Sequence, residues 1–192
     1  MARLFVGIPL PPSICDRLMM LQSGLPGARW RPRDNLHVSL AFIGDVDSHE
    51  ARDIEHALDR CDAPAFDIRC KGLGHFGKSR PHTLWAGIDE AGELSHLAGK
   101  VVNVLKRLGV KIENRKYTPH VTIAYLRNAR RDHVNDFVAR QGDFASDPFY
   151  VDRFVLYQSH MGKGASHYVR HAEFALAAFP STFEEQPLDD DV

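Results

Sequence analysis

Asn35-Leu36-His37-Val38-Ser39-Leu40-Ala41-Phe42 and Thr118-Pro119-His120-Val121-Thr122-Ile123-Ala124-Tyr125 are two versions of one pattern: histidine, apolar, hydroxyl, apolar. Alternate side chains of a strand share a face, so His37 and Ser39 project together while Val38 and Leu40 pack the other way. His120 with Thr122, and Val121 with Ile123, repeat that arrangement. One such tetrapeptide carries little information, because a partly buried, hydrogen-bonded histidine accounts for it. Two copies lie 120 − 37 = 83 positions apart, each inside a predicted strand. The duplication points to symmetric placement around one cleft.

Strands and helices alternate outward from these motifs. Arg3 to Ile8 reads as a strand, and Pro9, Pro11 and Pro12 lead to Ser13 as cap of a helix from Ile14 to Gln22. Asn35 to Ile43 is a strand, Ser48 to Cys61 a helix, and Phe66 to Cys70 a short strand followed by a Gly72 to Gly77 loop. His82 to Ile88 is a strand. Gly92 to Leu108 is an amphipathic helix with Leu94, Leu97, Val101, Val104, Leu105 and Leu108 toward the core, stopped at Gly109. A strand at His120 to Leu126, a helix near Asp132 to Arg140, and strands at Tyr150 to Gln158 and Tyr168 to Leu176 complete an α+β pattern. No linker divides residues 1–179, read as one domain of two similar halves, and the acidic, aperiodic residues 180–192 read as a frayed tail.

The chain has 192 residues, 44% of them hydrophobic, and a formal net charge of −1. That balance excludes a protein that coats long nucleic acid through polyelectrolyte attraction, but not one that acts on a nucleic-acid end. Two local clusters could assist: Arg29, Arg31 and Arg33 before His37, and Arg127, Arg130 and Arg131 after His120. The 3 cysteines, Cys15, Cys61 and Cys70, lack metal or redox spacing and are expected reduced and buried. No apolar run approaches the roughly 18 residues of a membrane span, and a cytoplasmic location is expected.

Two histidines suit phosphodiester chemistry. In-line attack on phosphorus needs one group to take a proton from the nucleophile and another to protonate the leaving oxygen opposite. Imidazole, with an ordinary pKa of about 6.5, can do either near neutral pH, and each role contributes ~10² to 10⁴ in rate with no metal. Ser39 and Thr122 would donate hydrogen bonds to the non-bridging oxygens.

With these motifs the sequence resembles the two-histidine phosphoesterase superfamily, specifically the RNA 2′,3′-cyclic phosphodiesterases once called 2′-5′ RNA ligases. Further support comes from Arg3-Leu4-Phe5-Val6-Gly7-Ile8, Trp30-Arg31-Pro32, Leu84-Trp85-Ala86-Gly87, and Leu156-Tyr157-Gln158-Ser159-His160 followed by Gly162 and Tyr168. The resemblance implies a bilobal α+β fold, with two pseudo-symmetric antiparallel sheets flanking a central cleft and helices outside. It implies hydrolysis of a 2′,3′-cyclic phosphate to a 2′-phosphomonoester, no cofactor, RNA ends or short oligonucleotides as partners, and a monomer. The same cleft would weakly join 2′,5′ ends. By carry-over His37 is the acid protonating the 3′ oxygen and His120 the base activating water, and the sequence leaves the exchange of these roles open. Many family members place an arginine where this chain has Tyr125. Arg127 shares the strand face of Tyr125, with His120 on the other parity unless a bulge intervenes. Tyr125 and Arg127 are therefore secondary candidates for substrate contact.

Other residues read more simply. His160, His167 and His171 match no zinc spacing and are expected structural. His75 and Phe76 are expected in a loop packed on its own lobe, Trp30 and Trp85 in the core, and Asp45 and Asp47 as loop and helix-capping residues. Gly72, Gly74 and Gly77 lack the Gly-Lys-Ser/Thr of a triphosphate loop. Two other functions stay open: an RNA-end-binding module with little turnover, and a phosphodiesterase for another small cyclic phosphate.

Overall fold

The computed structural model describes residues 1–89, 91–113, 116–160 and 166–178. Gly162 and the 180–192 tail lie outside the described residues. The described strands are β1 (Ala2–Pro9), β2 (Ala28–Trp30), β3 (His37–Val46), β4 (Phe66–Phe76), β5 (Thr83–Asp89), β6 (His120–Leu126), β7 (Phe149–Val151), β8 (Arg153–His160) and β9 (His167–Ala175). The helices are α1 (Pro12–Met19), α2 (Ser48–Leu58), α3 (Gly92–Arg107) and α4 (Arg131–Arg140).

The sheet order is β7-β4-β5-β6-β3-β1-β8-β9, with β2 on β6. It divides into mirrored quartets, β9-β8-β1-β3 and β6-β5-β4-β7, and every strand pairing in it is antiparallel. The two sheets implied by the resemblance are thus one curled sheet, joined between β3 and β6 at Val38↔Val121. The quartets also exchange strands. β4 follows α2 in sequence yet pairs with β5, while β8 follows α4 yet pairs with β1. This crossing explains why no linker separates two halves that are similar in pattern.

Helix boundaries follow local chemistry. Helix α1 starts with Pro12 at a position where a missing N–H costs nothing, so Ser13 lies inside the helix and is no cap. Helix α2 is capped as expected: the Asp47 carboxylate accepts from the His49 and Glu50 N–H groups, and Glu50 accepts from the Asp47 N–H. Helix α3 buries Leu94, Leu97, Ala98, Val101 and Leu105. Leu108, expected on the core side, is instead 44% exposed beyond the last turn.

Two strand expectations need correction. The run Tyr150 to Gln158 is split at Asp152 into β7, which pairs with β4, and β8, which pairs with β1, so one segment serves both quartets. The expected Gly72 to Gly77 loop, with His75 and Phe76, is mostly strand: β4 runs on to Phe76 through an irregularity between Cys70 and Leu73. The glycines mark a bulge and a close approach. A Cβ on Gly74 would stand 2.3 Å from Cη2 of Trp85, so only glycine lets that indole lie over β4.

The main core lies between the sheet and the helices, and all three cysteines are buried and free. A second, smaller cluster of Phe5, Val155 and Tyr157, with Tyr168 against it, occupies the other side of the sheet. Strand β1 is buried on both faces because its Leu4, Val6 and Ile8 feed one cluster and Phe5 the other.

Candidate active site

The join between quartets fixes where the motifs meet. Val38 sits opposite Val121 on antiparallel strands. Extended by one residue each way, that register sets His37 across from Thr122 and Ser39 across from His120. All four therefore share one face of the sheet, opposite the buried Val38, Leu40, Val121 and Ile123. His37, Ser39, His120 and Thr122 are each partly exposed on this face.

The two imidazoles are held in the same way. Nδ1 of His37 lies 2.9 Å from the Asn35 carbonyl, and Nδ1 of His120 lies 2.6 Å from the Thr118 carbonyl, in each case two residues upstream. A carbonyl can only accept, so each Nδ1 carries the proton and each Nε2 is the unprotonated nitrogen. For His37, Nε2 lies 3.1 Å from Ser39 Oγ, whose hydroxyl donates to it in this tautomer. Gly7, across from Ser39, leaves room for the His37 ring: a Cβ there would meet its Cδ2 at 3.2 Å and the Val38 carbonyl at 2.9 Å.

Aromatic rings enclose each histidine from matching strands. His37 has Phe5 of β1 at 4.9 Å and Tyr157 of β8 at 5.9 Å between centroids, with Tyr168 edge-on at 5.4 Å. His120 has Trp85 of β5 at 6.2 Å and Phe76 of β4 edge-on at 4.9 Å. Trp85 is thus a wall of the histidine site and not a core residue, and its buried Nε1–H has no hydrogen-bond partner among the described residues. Phe76 belongs to the same wall. In sequence Trp85 reads as a core residue of a strand and Phe76 as part of a Gly-rich loop packed on its own lobe, so neither stands out.

The environment sets the charge of His37. Burial pushes its pKa down to about 4, opposed by the Asn35 carbonyl and reinforced by the nearby charges of Arg31 and His120. The free protein therefore holds His37 neutral at pH 7.

Each motif also carries the same irregularity. Ser39 pairs with Gly7 but Ala41 with Val6, so Leu40 is an extra residue in β3; Thr122 pairs with Trp85 but Ala124 with Leu84, so Ile123 is its counterpart in β6. These bulges reverse the parity downstream. Phe42, 59% exposed, and Tyr125, 47% exposed, consequently return to the face of His37 and His120. Tyr125 is brought to the site. Arg127 lies just past β6, its side chain exposed and its backbone N–H donating to the Gly27 carbonyl.

The flanking basic clusters separate. Arg33 pairs with Asp16 on the surface, and Arg130 pairs with Asp132. Arg31 alone of the first cluster turns inward and is 6% exposed. His171 lies 3.4 Å from Glu55, and no three His, Cys, Asp or Glu side chains converge on a metal-sized site among the described residues. No helix there is long and apolar enough to cross a membrane.

Comparison with known proteins agrees with this arrangement. A sequence profile of the 2′-5′ RNA ligase superfamily matches residues 10–163, which include both histidine motifs. The RNA 2′,3′-cyclic phosphodiesterase of Archaeoglobus fulgidus is 30% identical over 161 residues, spanning 82% of this chain and 90% of that protein. The Escherichia coli protein of the same name is 28% identical over 178 residues, spanning 91% and 96%. The crystal structure of E. coli LigT complexed with 3′-AMP superposes with a TM-score of 0.75 at 26% identity, covering 91% of this chain and 98% of that one. The chain belongs to the 2′-5′ RNA ligase superfamily.

Proposed function

We propose that this protein hydrolyses the 2′,3′-cyclic phosphate at an RNA end to a 2′-phosphomonoester. The observation that carries the reading is the pair of imidazoles on one sheet face, each with Nδ1–H bound to the carbonyl two residues upstream, which makes Nε2 the proton-accepting nitrogen. Binding alone does not need two proton-transfer groups. His120 removes a proton from water, the oxygen attacks phosphorus in line, the bond to the 3′ oxygen breaks, and His37 protonates that oxygen. Ser39 and Thr122 donate to the non-bridging oxygens as charge develops. The substrate is an RNA end or short oligonucleotide, the enzyme acts as a cytoplasmic monomer, and no metal takes part.

One observation favours the exchanged roles. His37 is neutral in the free protein, as a base must be. For His37 to act as acid, the negative charge of the bound phosphate must raise its proton affinity.

The test uses an oligonucleotide ending in a 2′,3′-cyclic phosphate, in EDTA, with wild type, His37→Ala and His120→Ala. A 2′-phosphate product, with each variant slowed at least ~10²-fold, supports the reading. Binding without turnover by folded wild type would replace it with an RNA-end-binding module, and loss of activity restored by a divalent ion would remove the metal-free mechanism. Replacing the 3′ bridging oxygen by sulfur supplies a leaving group that needs no acid. The variant this substrate rescues has lost the acid, which decides between His37 and His120.

A further inference from the structure

Arg31 is a buried cation with no anion beside it among the described residues. It reaches the histidine face because the edge of β6 is shared. Val121 pairs with Val38 of β3, but further along Ala124, Tyr125 and Leu126 pair with β2, and between them the Ile123 carbonyl accepts the Arg31 N–H at 2.9 Å. The chain leaving β2 is therefore fixed over the β6 bulge, on the side where Tyr125 emerges.

The guanidinium lies between two rings, its Cζ 5.1 Å from the Tyr125 centroid and 5.5 Å from that of Tyr168. Nη2 donates to Tyr168 Oη at 2.9 Å, and that neutral phenol is the side chain's one hydrogen-bond partner among the described residues. Guanidinium carries five N–H donors and cannot discharge by losing a proton. Elsewhere Arg33, Arg69, Arg130, Arg153 and Arg170 all pair with carboxylates at the surface, where pairing matters least. The arginine for which a counter-charge matters most has none among the described residues.

Its place indicates the missing partner. Tyr168, which holds the guanidinium, is edge-on to His37 at 5.4 Å, and the Arg31 charge opposes protonation of His37 more strongly than the charge of His120 does. An anion that pairs with Arg31 therefore lies beside the imidazole.

We propose that Arg31, held between Tyr125 and Tyr168, is the phosphate-binding cation of this cleft and pairs with non-bridging oxygens of the phosphate under attack. The proposal rests on the reading of the site as a cyclic phosphodiesterase. It also gives Tyr125 a role, as the surface that keeps the guanidinium flat toward the phosphate. Pairing would offset the opposition of the Arg31 charge to protonation of His37, so the substrate itself would raise that residue's affinity for a proton.

The test measures kcat/KM on the cyclic-phosphate oligonucleotide, and binding of adenosine 2′-monophosphate by calorimetry, for wild type, Arg31→Met and Arg31→Lys. Arg31→Met should lose at least ~10² in kcat/KM and at least ~10-fold in affinity, with Lys between, since it keeps the charge but not the fork. If Arg31→Met fails to fold, Arg31→Lys carries the test alone. Arg31→Met/Tyr125→Arg, which returns a guanidinium from β6, should regain at least ~10-fold of the lost activity. Wild-type kinetics and affinity in folded Arg31→Met, or in Arg31→Lys where it stands alone, would overturn the proposal while leaving the proposed reaction standing. If wild type turns over no cyclic phosphate the functional reading fails, and the nucleotide-binding arm still decides whether Arg31 holds phosphate.

Discussion

Neutral His37 makes stability depend on pH in a way that one variant isolates. In the unfolded chain its imidazole titrates near 6.5, and in the folded protein burial holds it down at about 4. Between those values the unfolded state binds more protons, so stability rises with pH and is lost as pH falls from about 6.5 toward 4. Above the unfolded value the contribution is fully present. From about pH 7.5 to about pH 5 the loss is at most about 2 kcal/mol, or about 4 to 8 °C in Tm for a chain of this size. His37→Gln keeps a polar side chain but cannot titrate. Thermal unfolding of wild type and variant across that range should give a difference that shrinks toward acid, with the other histidines and the carboxylates cancelling. Equal losses in both proteins would refute burial as the force on His37. Bound inorganic phosphate should act oppositely, raising the pH at which the His37 ring protons shift in NMR.

Gly74→Ala forces a methyl against Trp85 and should cost about 1 to 3 kcal/mol by overpacking, seen in denaturant midpoints, and should lower kcat by moving the indole beside His120. The three atoms it would strike, Cη2, Cζ2 and Cζ3, belong to the indole's six-membered ring, so Gly74→Ala/Trp85→Phe should be more stable than the two single losses added together. Val121→Ala removes two methyls from the fully buried pair that joins the quartets. It should cost about 2 kcal/mol and reduce kcat on the cyclic phosphate, whereas unchanged kinetics would show that this pair does not set the spacing of the histidines.

The sequence is legible where a residue's role is set by near neighbours. The duplicated His37 and His120 motifs, the bounds of β6, the Asp47 cap and the amphipathic face of α3 all follow from spacing of a few residues. It misleads where a distant partner decides. Gly72 and Gly74 read as loop, since nothing nearby says that an indole 11 residues on, Trp85, needs the space. Parity assigned Tyr125 to the face away from His120, because the extra residue Ile123 is visible only through its pairing with β5. Arg29, Arg31 and Arg33 look alike in sequence, and only the capture of the Arg31 N–H by Ile123 turns one of them inward.

The bulges show why duplication at the level of a tetrapeptide can become a site. A perfectly regular strand would give His37 and Ser39 one face and put Phe42 on the other. The extra Leu40 and Ile123 instead place an exposed aromatic ring on the histidine face of each motif, five residues after the histidine. In the first motif Phe42 lies near Phe5, 6.0 Å between centroids, within the aromatic wall around His37. In the second, Tyr125 lies under Arg31. The scaffold is therefore symmetric in backbone and asymmetric in charge: the exposed ring that follows His37 is packed among apolar rings, and the one that follows His120 carries the Arg31 cation. A cyclic phosphodiester has the same asymmetry, with a nucleoside on one side of a phosphate and water on the other, and two equivalent histidines can take different roles only if their surroundings differ.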